Sequence, residues 1–273
     1  MELKQKLANL QGEGMKLKDK ALSAEKSVKK AGLGEHVAAV ALVMDISGSM
    51  RNMFSDGTVQ AVIERVMGLG LNFDDNGAID IFAFGQVAHD LGELLPEDFA
   101  GASQWIIQKT RFEGHTHYAP VIDLVLEHYG YSSTAAPPPA APAPTAVPWW
   151  RRMLGEKPAP SAPADPAPRG KLPASYPAYV LFVTDGDNQD KAEAQAALTR
   201  AARFPVFFQF VGVGAGSFAF LEHLDQMKGR FIDNANFFSV RDPKAVSDEQ
   251  LYELMLQEYP SWLELARGRN ILS

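Results

Sequence analysis

From residue 37 onward, short apolar runs alternate with amphipathic segments. Residues 37–46, 78–85, 179–184 and 206–213 are near-continuous in aliphatic, aromatic and β-branched side chains. Runs of that length without polar alternation predict strands buried on both faces. Helical spacing fills the intervals: Val59, Val62, Ile63, Val66 and Met67 share one face, as do Val121, Leu124 and Val125. Strand, helix and strand in repetition imply right-handed crossovers, hence an α/β fold with a mostly parallel central sheet and helices on both faces. Residues 86–94 add a short antiparallel edge strand. Near the C-terminus, Ser247 with Gln250 three residues later marks a capping-box helix start, and Leu251, Leu254 and Met255 continue it on one face. Pro260 is expected to break that helix before a second piece carrying Trp262, Leu263 and Ala266.

Two stretches depart from this rhythm. In residues 1–32, Leu3, Leu7 and Leu10 fall at helical spacing ahead of a lysine-rich run to Lys30. One or two helices packed on the body fit the leucines, but a solvated lysine-rich face without a partner is the preferred reading. The organisation is therefore an N-terminal helical segment, 1–32, followed by an α/β domain, 33–273. Residues 133–177 hold thirteen of the 18 prolines in an alanine-rich background, which sustains neither helix nor ladder. They read as an extended insertion within the domain. Inside it Trp149 and Trp150 adjoin Arg151 and Arg152, which suits a docking element or a local collapse onto nearby apolar surface.

Composition narrows the function classes. A hydrophobic share of 46% supports a real core, and no window approaches the roughly 18 apolar residues of a membrane span. A soluble, cytoplasmic protein is expected, since no apolar signal-peptide core follows the N-terminus. There is no cysteine, which excludes disulfides, thiolate metal sites and cysteine nucleophiles together. Any metal site must use oxygen or imidazole. The net charge is −7, and residues 1–30, with eight lysines and four acids at net +4, leave −11 for the remainder. That balance argues against nucleic acid as a partner and lets the basic end dock on the acidic body.

Ligands of an open parallel sheet gather outside the carboxyl ends of its strands. Three loops meet that description: Asp45-Ile46-Ser47-Gly48-Ser49, the stretch 113–120 with Thr116, and Thr184-Asp185-Gly186-Asp187-Asn188. In an extended segment Asp45, Ser47 and Ser49 project to one side, and Gly48 lets the chain turn. Carboxylate and hydroxyl oxygens are hard ligands that suit Mg²⁺ or Mn²⁺, ahead of Ca²⁺ and of Zn²⁺. With Asp45 and Asp185 alone, a divalent ion is charge-balanced and keeps an open position for an external carboxylate or water. Asp187 and Asp190 read as caps of the helix starting near Asp190, with Asp187 also a candidate behind the ligands. The glycine run 212–216 reads as a tight turn, and Asp225 and Asp233 as surface acids.

Asp45-x-Ser47-x-Ser49, Thr116 and Asp185 together resemble the metal-ion-dependent adhesion site of von Willebrand factor type A (vWA) domains. VALVMDISGSM, LNFDDNGAIDIFAFG, YAPVIDLVLEHY, VLFVTDGDNQD, FFQFVGVG, FLEHLD, IDNANFFSV and SDEQLYELMLQEYPSWLELAR are similar to the A domain at the carboxyl end of TerF-type tellurium-resistance proteins. The resemblance implies a Rossmann-like vWA fold in which Ser47, Ser49 and Thr116 contact the ion. Asp45 and Asp185 then bind it directly or through water, and a partner's acidic side chain completes the shell. It also implies a non-enzymatic adaptor or scaffold in tellurium resistance and metal-stress response. Three departures stand out: a lysine-rich segment where some relatives carry a calcium-binding TerD-like domain, the long insertion, and His115 and His117 flanking Thr116. Both histidines are expected to face solvent or cap the loop; as alternative ligands they would favour Mn²⁺, Ni²⁺ or Zn²⁺. The competing reading is a Mg²⁺-dependent phosphoryl-transfer or hydrolase enzyme using Asp45 as nucleophile. It is disfavoured by the lack of a P-loop, a GxSxG elbow and an acid-x-acid pair at the first strand.

Overall fold

The computed structural model describes residues 3–10, 12–131 and 176–272. The expected insertion at 133–177 thus lies outside the described residues except for its last two. In chain order the elements are α1 (Leu3–Asn9), α2 (Leu17–Lys30), β1 (Ala39–Asp45), α3 (Arg51–Ser55), α4 (Thr58–Phe73), β2 (Ile79–Phe84), β3 (Ala88–Leu94), α5 (Ala102–Thr110) and α6 (Ala119–His128). They continue with β4 (Ala178–Thr184), α7 (Lys191–Ala201), β5 (Val206–Val213), α8 (Ala219–Gln226), β6 (Ala235–Val240), α9 (Asp248–Leu256) and α10 (Tyr259–Gly268).

The six strands form one sheet in the order β3-β2-β1-β4-β5-β6, parallel except for the β2–β3 pair. The antiparallel edge strand and the parallel centre are those the hydropathy pattern predicts. Every residue of β1, β4 and β5 is buried, the outcome of covering both faces of a sheet with helices. Alternate residues feed separate cores: Val40, Leu42 and Met44 pack with α2, α4, α9 and α10, whereas Ala41 and Val43 pack with α6, α7 and α8. From β1 the chain runs on to β2 on one side, and from β4 to β5 on the other. The carboxyl ends of β1 and β4 therefore flank a topological switch point, where the loops diverge and leave a crevice.

Two expectations are corrected. The lysine-rich N-terminal segment is not a solvated face without a partner. Leu17, Ala21, Ala24 and Val28 of α2, at intervals of four, three and four, are buried in the same core as β1 and α4. The approach is close because α4 has glycine at 68, where a Cβ would collide with the Tyr252 hydroxyl and press on the Lys20 backbone. The lysines find partners as well. Lys20 reaches both Asp248 oxygens at 2.8 and 2.7 Å, and Arg65 pairs with the same carboxylate at 2.9 Å. The second correction is narrower: the two expected helical pieces are present, but the break falls at residues 257–258, and Pro260 sits in the first turn of α10, a position where its missing N–H costs nothing.

The edge strand β3 is pinned to α6 by charge. His128 Nδ1 lies 2.8 Å from Asp90 on β3, its Nε2 lies 3.5 Å from Asp80 on β2, and the Tyr129 hydroxyl donates to Asp80 at 2.7 Å. Asp80, against the opposing effect of burial and with help from Asp90, holds the imidazolium up to about 9. A histidine raised on folding contributes stability that is complete below its unfolded value and lost as pH rises through the folded one. The melting temperature of the wild type is therefore expected to fall between pH 6.5 and 9 by more than that of His128→Gln; parallel curves for the two would contradict the assignment.

Candidate metal centre

At the end of β1 the Asp45 carboxyl is fully buried. The Ser47 N–H donates to its Oδ1 at 2.7 Å and the Thr184 hydroxyl to its Oδ2 at 2.6 Å. Desolvation pushes its pKa up to about 6 against those hydrogen bonds, with the nearby Asp185 charge adding to the rise. Thr184 is backed by Tyr118, whose hydroxyl donates to the Gly186 carbonyl at 2.8 Å. Beyond Asp45 the chain stays extended at Ser47 (φ −63°, ψ 162°) and then enters a 3₁₀ turn over Gly48–Met50. The turn brings the two serine hydroxyls 3.0 Å apart, and Ser49 Oγ donates to Asp185 Oδ1 at 2.8 Å. Burial also raises the Asp185 pKa, opposed by the Ser49 hydroxyl.

These groups open on a pocket of about 420 Å³ at the switch point, lined among others by Ser47, Ser49, Glu113, Thr116, Asp185 and Asp187. Four of the five predicted ligand side chains thus border one crevice, and Asp45 lies hydrogen-bonded beneath them. Thr116 is nine-tenths buried. Its hydroxyl has no hydrogen-bond partner among the described residues, while its backbone N–H donates to Gln189 Oε1 at 2.7 Å. Neither His115 nor His117 lines the pocket. Their ring centroids lie 6.0 Å apart in a stacked arrangement, and His117 Nδ1 lies 3.2 Å from the Gln86 carbonyl. Trp149 and Trp150 lie outside the described residues.

Two acids that line the pocket are engaged by neighbouring side chains. Glu113 accepts from the Val87 N–H at 2.9 Å and lies 2.8 Å from His89 Nε2; burial opposes the change, but these contacts lower its pKa. Asp187 pairs with Lys191 at 2.6 Å. Asp190 does not cap its own helix, α7, with its side chain. Its two oxygens instead accept from the Tyr118 and Ala119 N–H groups at 2.9 and 2.7 Å, capping α6 across the crevice. Asp233 is an exposed acid, as expected, and its carboxylate accepts from Arg230 at 2.5 Å; the same guanidinium donates to the Asp225 backbone carbonyl at 2.8 Å. Glu113, Gln189 and the true role of Asp190 carry no local sequence signal, because each acts on a residue distant in the chain.

The donor set suits a hard divalent cation. Among the described residues no three His, Asp or Glu side chains converge, so carboxylates alone do not make the site. What converges is two carboxylates and three hydroxyls, and among the described residues no cationic side chain pairs with Asp45 or Asp185. A carboxylate buried without a counter-charge is costly, and a divalent ion among oxygens offsets that cost.

The chain is 32% identical over 255 residues to the uncharacterized protein YcbR of Bacillus subtilis (strain 168), covering 91% of this chain and 88% of that one. Among solved structures, proximal thread matrix protein 1 from the mussel byssus aligns at a TM-score of 0.52 with 16% identity, over 81% of this chain and 47% of its own. This chain therefore spans about half the length of that protein. Manganese-loaded Plasmodium vivax TRAP aligns at 0.47 with 15% identity, over 81% and 72% of the two chains. At 16% identity the mussel protein bears on the fold alone. Residues 37–139 and 167–272 match the family described as the vWA domain found in the TerF C terminus. With that match over most of its length, on an α/β sheet of the vWA kind, the chain belongs to the vWA-TerF-like family.

Proposed function

We propose that this protein is a divalent-metal-dependent binding module that recognises an acidic group on a partner protein and neither makes nor breaks a bond. Asp45, Ser47, Ser49, Thr116 and Asp185 hold the ion, Mg²⁺ or Mn²⁺, which supplies a Lewis-acidic position to which the partner's carboxylate adds. The observation carrying the reading is the chain of oxygens from Ser47 through Ser49 to Asp185, at 3.0 and 2.8 Å, over a buried carboxylate at the mouth of the switch-point crevice. Charge supports it: two anionic ligands leave a divalent ion neutral at the site and open to a further anion. Family membership extends the proposal to an adaptor in tellurium-resistance or metal-stress assemblies.

The enzymatic alternative finds little support. A nucleophilic Asp45 would have to reach a substrate, yet its side chain is fully buried and both oxygens accept short hydrogen bonds. The cations bordering these loops are engaged, Arg51 over the Phe112 ring at 4.5 Å and Lys191 with Asp187. Among the described residues no helix is long and apolar enough to cross a membrane.

Calorimetric titration of Mg²⁺ and of Mn²⁺ into the metal-free chain tests the reading. Saturable binding is expected for the wild type and not for Asp185→Ala, together with capture of an acidic partner that chelator reverses. Absence of binding at millimolar ion, or binding that survives Asp185→Ala, would overturn it.

A further inference from the structure

Two of the five proposed ligands, Thr116 and Asp185, come from loops 69 residues apart in sequence, and neither loop has regular structure of its own at the ligand. Something has to set their separation. The segment directly after Asp185 does so by hydrogen bonds that cross the crevice. Gln189 and Thr116 bond reciprocally: the Thr116 N–H donates to Gln189 Oε1 at 2.7 Å, and the Gln189 N–H donates to the Thr116 carbonyl at 3.1 Å. One residue on, the Asp190 carboxylate takes the N–H groups of Tyr118 and Ala119, while Asn188 Nδ2 donates to the same carboxylate at 2.7 Å and fixes its orientation. Tyr118 closes the clasp from the other side through its hydroxyl on the Gly186 carbonyl.

We infer that Gln189 and Asp190 are positioning residues of the metal site, holding the Thr116 loop on the Asp185 loop so that hydroxyl and carboxylate face one ion. The inference rests on the metal-site reading above. Neither residue needs to touch the ion. Gln189 holds the Thr116 backbone and so leaves the threonine hydroxyl, which lacks a protein partner among the described residues, directed to the pocket it lines. Asp190 joins the start of α6 to the same segment, so that loop and helix move as one piece. The serines of the first loop are joined to Asp185 through the Ser49 hydroxyl. That hydroxyl has to turn its lone pair to an incoming cation, so adjustment on binding falls on the first loop while the clasped pair stays fixed.

The test compares Gln189→Leu, which removes the acceptor, with Gln189→Glu, which keeps it. Mn²⁺ is titrated into each full-length protein by calorimetry, and amide hydrogen exchange at Thr116 is followed without metal. Gln189→Leu is expected to bind Mn²⁺ about tenfold more weakly, the lower end for loss of an outer support of a ligand. Thr116 should exchange faster in it at an unchanged melting temperature. Gln189→Glu should restore both protection and wild-type affinity or better. Asp190→Ala should weaken binding as well and also lower the melting temperature through loss of the α6 cap. Wild-type affinity in Gln189→Leu would overturn the inference while leaving the metal site standing. A wild type that binds no metal would remove both.

Discussion

In metal-free protein at pH 7, Asp45→Asn is expected to melt above the wild type and to lose all stabilisation by Mg²⁺ or Mn²⁺. The first half follows from burial. Desolvation moves the Asp45 pKa from 3.8 to about 6, so ionising it in the folded state is costly. A carboxylate raised on folding contributes stability that is complete below its unfolded value and lost as pH climbs through the folded one. The loss therefore develops between about pH 4 and 6, and at neutral pH it corresponds to about 3 kcal/mol. Asparagine carries no charge and keeps an acceptor for the Ser47 N–H, but it disturbs the Thr184 hydrogen bond. A net gain of about 1–2 kcal/mol is left, worth roughly 3–6 °C in a domain of this size. The second half follows from mass action: an ion at a hundred times its dissociation constant stabilises the wild type by about 2.7 kcal/mol and the variant by nothing. Thermal melts of both proteins at pH 4 and pH 7, with and without ion, test both halves. If Asp45→Asn melts lower than the wild type without metal at pH 7, Asp45 is a structural carboxylate and not a ligand kept charged for a cation.

The strands were legible because a sheet covered on both faces demands uninterrupted apolar runs, and β1, β4 and β5 have them. At the edge the signal weakens. In β6, Asn236 and Ser239 interrupt the run, and Asn236 is buried only because its amide donates to Gln209 on β5 at 3.0 Å. By its sequence α2 resembles a solvated face for a related reason. Two of its four buried apolar positions are alanines set among lysines, and their burial depends on the glycine notch of α4 and on Asp248, far away in sequence. The candidate site divides the same way. Oxygen-bearing residues at strand ends stand out locally, so the chain alone marks Asp45, Ser47, Ser49 and Asp185 as candidates, and the fold brings them together. Gln189 acts on Thr116 across 73 positions and Asp190 on Tyr118 across 72, and no local pattern announces either.

Residues 33–273 alone are expected not to fold as a stable domain, although the family match begins only at residue 37. Removing 1–32 strips α2 from the core that contains β1, α4 and α9. Leu17 and Val28 are at most 3% exposed, and at about 1.5–3 kcal/mol for each fully buried aliphatic side chain their loss costs about 3–6 kcal/mol. The faces of α4 and α9 that they cover become exposed at the same time. Asp248 would also lose Lys20, leaving Arg65 as its remaining cationic partner. Against a total stability of about 5–15 kcal/mol for a typical domain, such losses leave little or no margin. The truncated chain should aggregate or unfold without a cooperative transition. A point variant separates this from general damage by truncation: Leu17→Ala in the full chain should lower stability by about 2–5 kcal/mol, the range for a buried leucine. Chemical denaturation of both proteins decides the matter. A truncated chain that unfolds cooperatively at the wild-type midpoint, or a Leu17→Ala chain indistinguishable from wild type, would show that α2 rests on the domain without holding it together.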